Sequence, residues 1–104
     1  MKIPKSFKIA GKTYAVKIDN DGRLLEQKLA GQVNYTACTI KISLTDGLSI
    51  SSKECVQHTY LHEIWHTIWE ILGEVDLKSD ERRADAFCNL LLQVLNSGKG
   101  ELKI

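Results

Sequence analysis

No stretch of this chain stays apolar for the roughly 20 residues that a helix needs to cross a bilayer, so no membrane role is expected. The N-terminus, Met1 to Ala10, carries Lys2, Lys5 and Lys8 and lacks the apolar centre of a secretory signal. The net charge is only +1, which supplies neither a basic stripe for nucleic acid nor an acidic tail. A nucleic-acid partner is not expected. Cys38, Cys55 and Cys88 form no CxxC pair and leave an odd one over. Reduced thiols in a cytoplasmic protein are the expectation, each a small buried apolar residue rather than a metal ligand. There are no internal repeats and no linker-like segment.

What remains is an ordinary globular balance, 43% hydrophobic and 26% charged over 104 residues. That length suits one compact domain, residues 1–104, and is too short for two. In the first half Phe7, Ile9, Tyr14, Val16 and Ile18 alternate at period two, with Gly11-Lys12 where a tight hairpin turn would fall. Asp19-Asn20-Asp21-Gly22 is a turn cluster. It is not an EF-hand loop, because Lys28 stands where the closing Glu belongs. Leu24 to Ala30 reads as a short helical turn or irregular chain. Gln32 to Ala37 and Thr39 to Leu44 read as two more strands, the second ended by Thr45-Asp46-Gly47.

Two helical patterns follow. The first starts at a Ser51 or Ser52 N-cap, has Glu54 in its first turn, and runs to about Leu72 with Gly73 as its terminating glycine. Val56, Tyr60, Ile64, Ile68 and Ile71 form one apolar row and Leu61, Trp65, Trp69 and Leu72 a second, which predicts a mostly buried helix. A loop from Glu74 to Lys78 leads to a second helix capped by Ser79, with the core stripe Ala84, Phe87, Cys88, Leu91, Leu92 and Leu95. Strands first and helices second predict an α+β fold. We expect a small, mostly antiparallel sheet of three to four strands packed on two long antiparallel helices.

The chemistry concentrates in His62-Glu63-Ile64-Trp65-His66. Residues i and i+4 share a helix face, so both histidines can aim at one metal ion. Glu63 lies beside them, where it can take a proton from an activated water. A catalytic zinc normally has three protein ligands. His58 shares the face, but it is eight residues from His66, about 12 Å along the axis, so one ion cannot be reached from both. No histidine lies beyond His66, which removes every pattern needing a third one downstream. A carboxylate must serve. Glu81 is the best placed, on the stripe Glu81-Ala84-Cys88-Leu91, with Asp80 and Asp76 as rivals. Asp85 is one turn further along the Glu81 face, placed to accept the other N–H of His62 or His66. Burying such a cluster without a partner is costly, and a metal resolves that cost. Arg82-Arg83 reads as a solvated face near the site, with either arginine an alternative holder of a substrate carboxylate or an oxyanion, and Tyr35 and Tyr60 are further candidates for the oxyanion.

The pair HExxH, followed by Glu81-Arg82-Arg83-Ala84-Asp85-Ala86-Phe87 beginning fifteen residues after His66, resembles the gluzincin signature HExxH…ExxxD. In detail it is similar to the smallest members, the minigluzincins and the ImmA/IrrE-like phage and bacterial metallopeptidases. The resemblance spans Tyr60 to Leu92. It implies His62, His66 and Glu81 as Zn2+ ligands, Glu63 as general base and Asp85 as the carboxylate behind a ligand. It also implies a sheet edge against which a peptide lies. The expected activity is zinc-dependent hydrolysis of peptide bonds in a peptide or protein substrate, in the cytoplasm (the host's, if phage-encoded). Larger gluzincins add a C-terminal Tyr or His for the oxyanion, and nothing in this sequence matches that residue. The alternative expectation is therefore a zinc-stabilised, non-catalytic binding or regulatory domain. The oligomeric state is not legible.

Overall fold

A computed structural model describes residues 1–45 and 51–104, and the turn expected at Asp46-Gly47 lies outside them. The chain runs β1 (Ser6–Ile9), β2 (Lys12–Ile18), α1 (Arg23–Glu26), β3 (Gly31–Asn34), β4 (Thr39–Ile42), α2 (Lys53–Leu72), α3 (Val75–Lys78) and α4 (Glu81–Ser97). It is the expected α+β arrangement, a four-stranded mixed sheet with two long helices. Among the described residues no helix is long and apolar enough to cross a membrane.

Alternation decides which face of the sheet is covered. Ile40 and Ile42 of β4 are fully buried, and Val16 of β2 pairs beside Ile40. Complete burial of a side chain of this size contributes roughly 1.5–3 kcal/mol. Phe7 and Tyr14, opposite one another on β1 and β2, stack with centroids 5.4 Å apart. The intervening polar positions, Lys8, Thr13 and Lys17, stay in water.

Strand order is less obvious than strand position. The order is β1-β2-β4-β3, with β2 and β4 parallel and the outer pairs antiparallel. The segment from Asp19 to Ala30 carries the chain from the centre of the sheet to its edge. Leu24, 2% exposed, anchors it, and the Asp19 carboxylate accepts the Leu24 N–H at 3.0 Å. The ambiguous stretch at Leu24 is thus a short helix, α1, and β3 comes back antiparallel on the far side of β4.

Helix α2 has both its ends fixed locally. Cys55 N–H donates to Ser52 Oγ at 3.2 Å. At the other end Gly73 sits at φ 71°, while Gly73 N–H and Glu74 N–H return to the carbonyls of Glu70 and Trp69, closing the last turn as left-handed glycine caps do. Helix α4 packs on it, with Ala84, Cys88 and Leu92 buried against Tyr60, Leu61 and Trp65.

Several boundaries differ from expectation. Asp80, not Ser79, caps α4, because its carboxylate accepts the Arg83 N–H at 2.9 Å. The Glu74–Lys78 stretch contains a helical turn, α3, whose Leu77 carbonyl accepts from Trp65 Nε1 at 3.0 Å. Strands β3 and β4 stop earlier than their alternation, at Asn34 and Ile42. The apolar stripes are also wider than the core: Phe87 is 53% exposed, and Leu72 and Leu95 are exposed as well. Of the cysteines only Cys88 is buried; Cys55 is exposed and Cys38 intermediate. With one face of α2 given to the sheet and another to α4, part of each apolar row has no layer left to cover it.

Candidate metal centre

Helix α2 supplies two imidazoles one turn apart, their ring centroids 4.7 Å from each other. Helix α4 returns past them and places its first residue, Glu81, in front of both. His62 Nε2 lies 2.7 Å from Glu81 Oε2, and His66 Nε2 lies 3.1 Å from Glu81 Oε1. One donor atom from each of the three residues falls within 4.8 Å of the others, so the group can hold a metal ion.

The far sides of the rings say which nitrogens are available. His62 Nδ1 is 2.8 Å from Asp85 Oδ1, and His66 Nδ1 is 2.7 Å from the Lys78 carbonyl oxygen. A carbonyl and an ionised carboxylate only accept, so both Nδ1 atoms carry the hydrogen. In a neutral ring each Nε2 is then a bare lone pair. Two lone pairs and a carboxylate thus converge at hydrogen-bond distance with no hydrogen among them. A cation shared by the three would satisfy all of them at once. An N,N,O set of this kind, with the opposite ring nitrogens tied to a carboxylate and a carbonyl, suits a divalent transition metal.

The structure brings together all five residues expected from the sequence. Asp85 serves His62, not His66. The partner of His66 is the Lys78 backbone, supplied by α3, which no side-chain pattern announces. His58 stays out of the cluster: its Nε2 lies 3.2 Å from the Asp85 carbonyl, so it braces α4 against α2. Asp76 is absent from the cluster as well, and Asp80 is occupied as the helix cap.

Glu63 is buried, 6% exposed, on the sheet side of α2. Burial pushes its carboxyl above the ordinary glutamate range. Glu81 adds to that rise, and His66 and His62 oppose it. Glu63, His62, His66, Glu81 and Asp85 all line one cleft of about 480 Å³, together with Gly31, Gln32 and Val33 of β3 and Tyr35 of the turn that follows it.

One residue of this cleft, Gly31, carries weight that sequence reasoning missed, and another, Tyr35, was named from the sequence without a position. A Cβ on Gly31 would stand 2.6 Å from Thr59 Cγ2 and 3.3 Å from Glu63 Cγ, so the glycine is what lets β3 lie against α2 beside Glu63. An isolated glycine opening a strand pattern signals close backbone approach, and that was the available clue. Tyr35 stands in the β3–β4 turn with the Lys78 ammonium 5.9 Å from its ring centroid. Tyr60, its rival, is buried in the core edge-on to Phe7.

Comparison of the chain with protein-family models, with curated proteins and with solved structures found no match.

Proposed function

We propose that this chain is a zinc-dependent peptidase of the gluzincin type. The observation that carries the reading is where the His62–His66–Glu81 group lies: on the wall of an open cleft, with a buried carboxylate, Glu63, on the same wall. Structural zinc sites are closed by four protein ligands, whereas catalytic ones use three. Among the described residues the cluster has three members.

Zinc held by Nε2 of His62, Nε2 of His66 and the Glu81 carboxylate would supply Lewis acidity, lowering the pKa of water toward about 7 and polarising a carbonyl. The residues of the chain do the rest. Asp85 and the Lys78 carbonyl hold the two rings in the tautomer that leaves Nε2 free. Glu63, made more basic by burial, takes a proton from the attacking water at its carboxylate and delivers it to the leaving amine. Among the described residues β3 pairs only with β4, and its other edge offers backbone N–H and C=O groups to an extended peptide lying in the cleft.

The test has two parts. Elemental analysis of purified protein should find one zinc per chain, and digestion of a denatured protein mixture should be abolished by chelator. Glu63→Gln should keep the zinc and lose the digestion. No stoichiometric metal in the wild type refutes the reading. Zinc without any cleavage points instead to a metal-stabilised binding domain.

A further inference from the structure

Helix α4 is apolar on two sides, and only one of them is covered. Ala84, Cys88 and Leu92 are buried against α2, while Phe87, Leu90 and Val94 stand 53%, 63% and 66% exposed. A spacing of three and four puts these last three in one row along the helix, with Leu95 beside it at 46%. The row continues onto α2. The Phe87 ring lies 5.3 Å from the Trp65 ring, and Ile68 and Leu72 follow Trp65 one and two turns on, 37% and 61% exposed.

Charge does not interrupt this strip on α4: no Asp, Glu, Lys or Arg stands between Asp85 and Lys99. At these exposures the six side chains offer roughly 500 Å² of apolar surface, near the top of the range for the largest patch on a monomer. Homodimer interfaces cover about 800 Å² on each partner and are about 65% apolar. The strip therefore matches the apolar share of one such interface.

We propose that the strip is a two-fold contact between two copies of this chain, with their α4 helices packed antiparallel. In a two-fold contact each patch meets its own image, so a charge near the axis would meet its like. A strip without charge is self-complementary. Antiparallel packing sets Phe87 on Val94 of the second copy and Leu90 on its Leu91. The metal cluster is not covered by this contact. Val94 lies nine residues beyond Asp85, two and a half helical turns, and so points away from the side on which Asp85 meets His62. Both clefts stay open in the dimer.

Sedimentation velocity on the full chain is the test. Contacts of this area hold with constants from μM to pM, so at about 50 μM the wild type should sediment as two chains of 11.7 kDa each. Leu90→Glu and Val94→Glu set like charges across the axis and should weaken association by at least about a hundredfold, with unchanged circular dichroism. Asn89→Glu, equally exposed but turned to the groove that His58 lines, should stay dimeric. The wild-type Tm should rise with protein concentration, and Val94→Glu should lose that rise. Should Leu90→Glu fail to fold, Val94→Glu and the wild-type concentration series decide. A wild type that remains a single chain at about 200 μM overturns the proposal, whether or not it holds zinc or cuts peptides. A folded Leu90→Glu that stays dimeric does the same, as does growth beyond two chains, since a two-fold contact closes at two. Flotation of single chains with phosphatidylcholine vesicles would assign the strip to lipid and also overturn it.

Discussion

Replacing Gly31 by alanine is the sharpest probe of how the cleft is built. The glycine has no positive φ, so alanine should fit its backbone and, by restricting the unfolded chain, would stabilise by about 0.4–1 kcal/mol if space allowed. Space does not allow it. The new methyl would meet Thr59 Cγ2 at 2.6 Å, with Lys41 O and Glu63 Cγ both at 3.3 Å. The two longer contacts yield by a few tenths of an ångström; the first does not. Thr59 cannot simply rotate, because its hydroxyl donates to the Cys55 carbonyl. Overpacking of this kind costs about 1–3 kcal/mol, which outweighs the entropic gain. A net loss of roughly 1–2 kcal/mol follows, and each kcal/mol lowers Tm by about 4–8 °C at this chain length. Thermal melts by circular dichroism, in chelator, should show it. Thr59→Ser isolates the cause, since serine lacks Cγ2 and keeps the hydroxyl. In that background Gly31→Ala should be neutral or slightly stabilising, a coupling readable from the double-mutant cycle. The reasoning is refuted if Gly31→Ala melts at or above wild type, or if Thr59→Ser leaves its cost unchanged.

Three further outcomes are expected. Because the folded pKa of Glu63 is raised, the folded state holds its proton more tightly than the unfolded chain, so the stability linked to it is fullest at low pH and falls as pH rises through the folded value. Metal-free Glu63→Gln should therefore melt above wild type at pH 7, the gap closing as pH drops through the ordinary glutamate range; a lower Tm at pH 7 contradicts this. Asp85→Asn loses the carboxylate that fixes His62 Nδ1–H and should weaken zinc binding about 10–100-fold in a chelator competition, while unchanged affinity would remove Asp85 from the site. Iodoacetamide should label exposed Cys55 in the native protein and Cys88 only after unfolding, since burial pushes the Cys88 thiol up to about 11; peptide mapping that finds native Cys88 labelled as fast as Cys55 refutes it.

What could be read along the chain and what could not divides on the range of the forces involved. The span of α2, its Ser52 and Gly73 caps, the shared face of His62 and His66, and the strand positions around Tyr14 and Ile40 all follow from interactions within four residues or from simple alternation. Glu81 and Asp85 were legible for the same reason, as one face of a helix that a short connection folds back. Strand order was not. Alternation fixes which face a strand buries but carries nothing about its neighbour, so the parallel pairing of β2 with β4 and the edge position of β3 emerged only in three dimensions. The extent of the core was likewise undecided: Phe87 and Leu72 sit on good apolar stripes yet remain exposed, because burial depends on how many layers arrive to cover them. The finer parts of the site belong to this second kind. A backbone carbonyl at Lys78 behind His66, a missing Cβ at Gly31 and the placing of Tyr35 rather than Tyr60 in the cleft are contacts between segments far apart in sequence. Residue identity and local period determined which groups are available for chemistry, and tertiary packing decided which of their atoms meet.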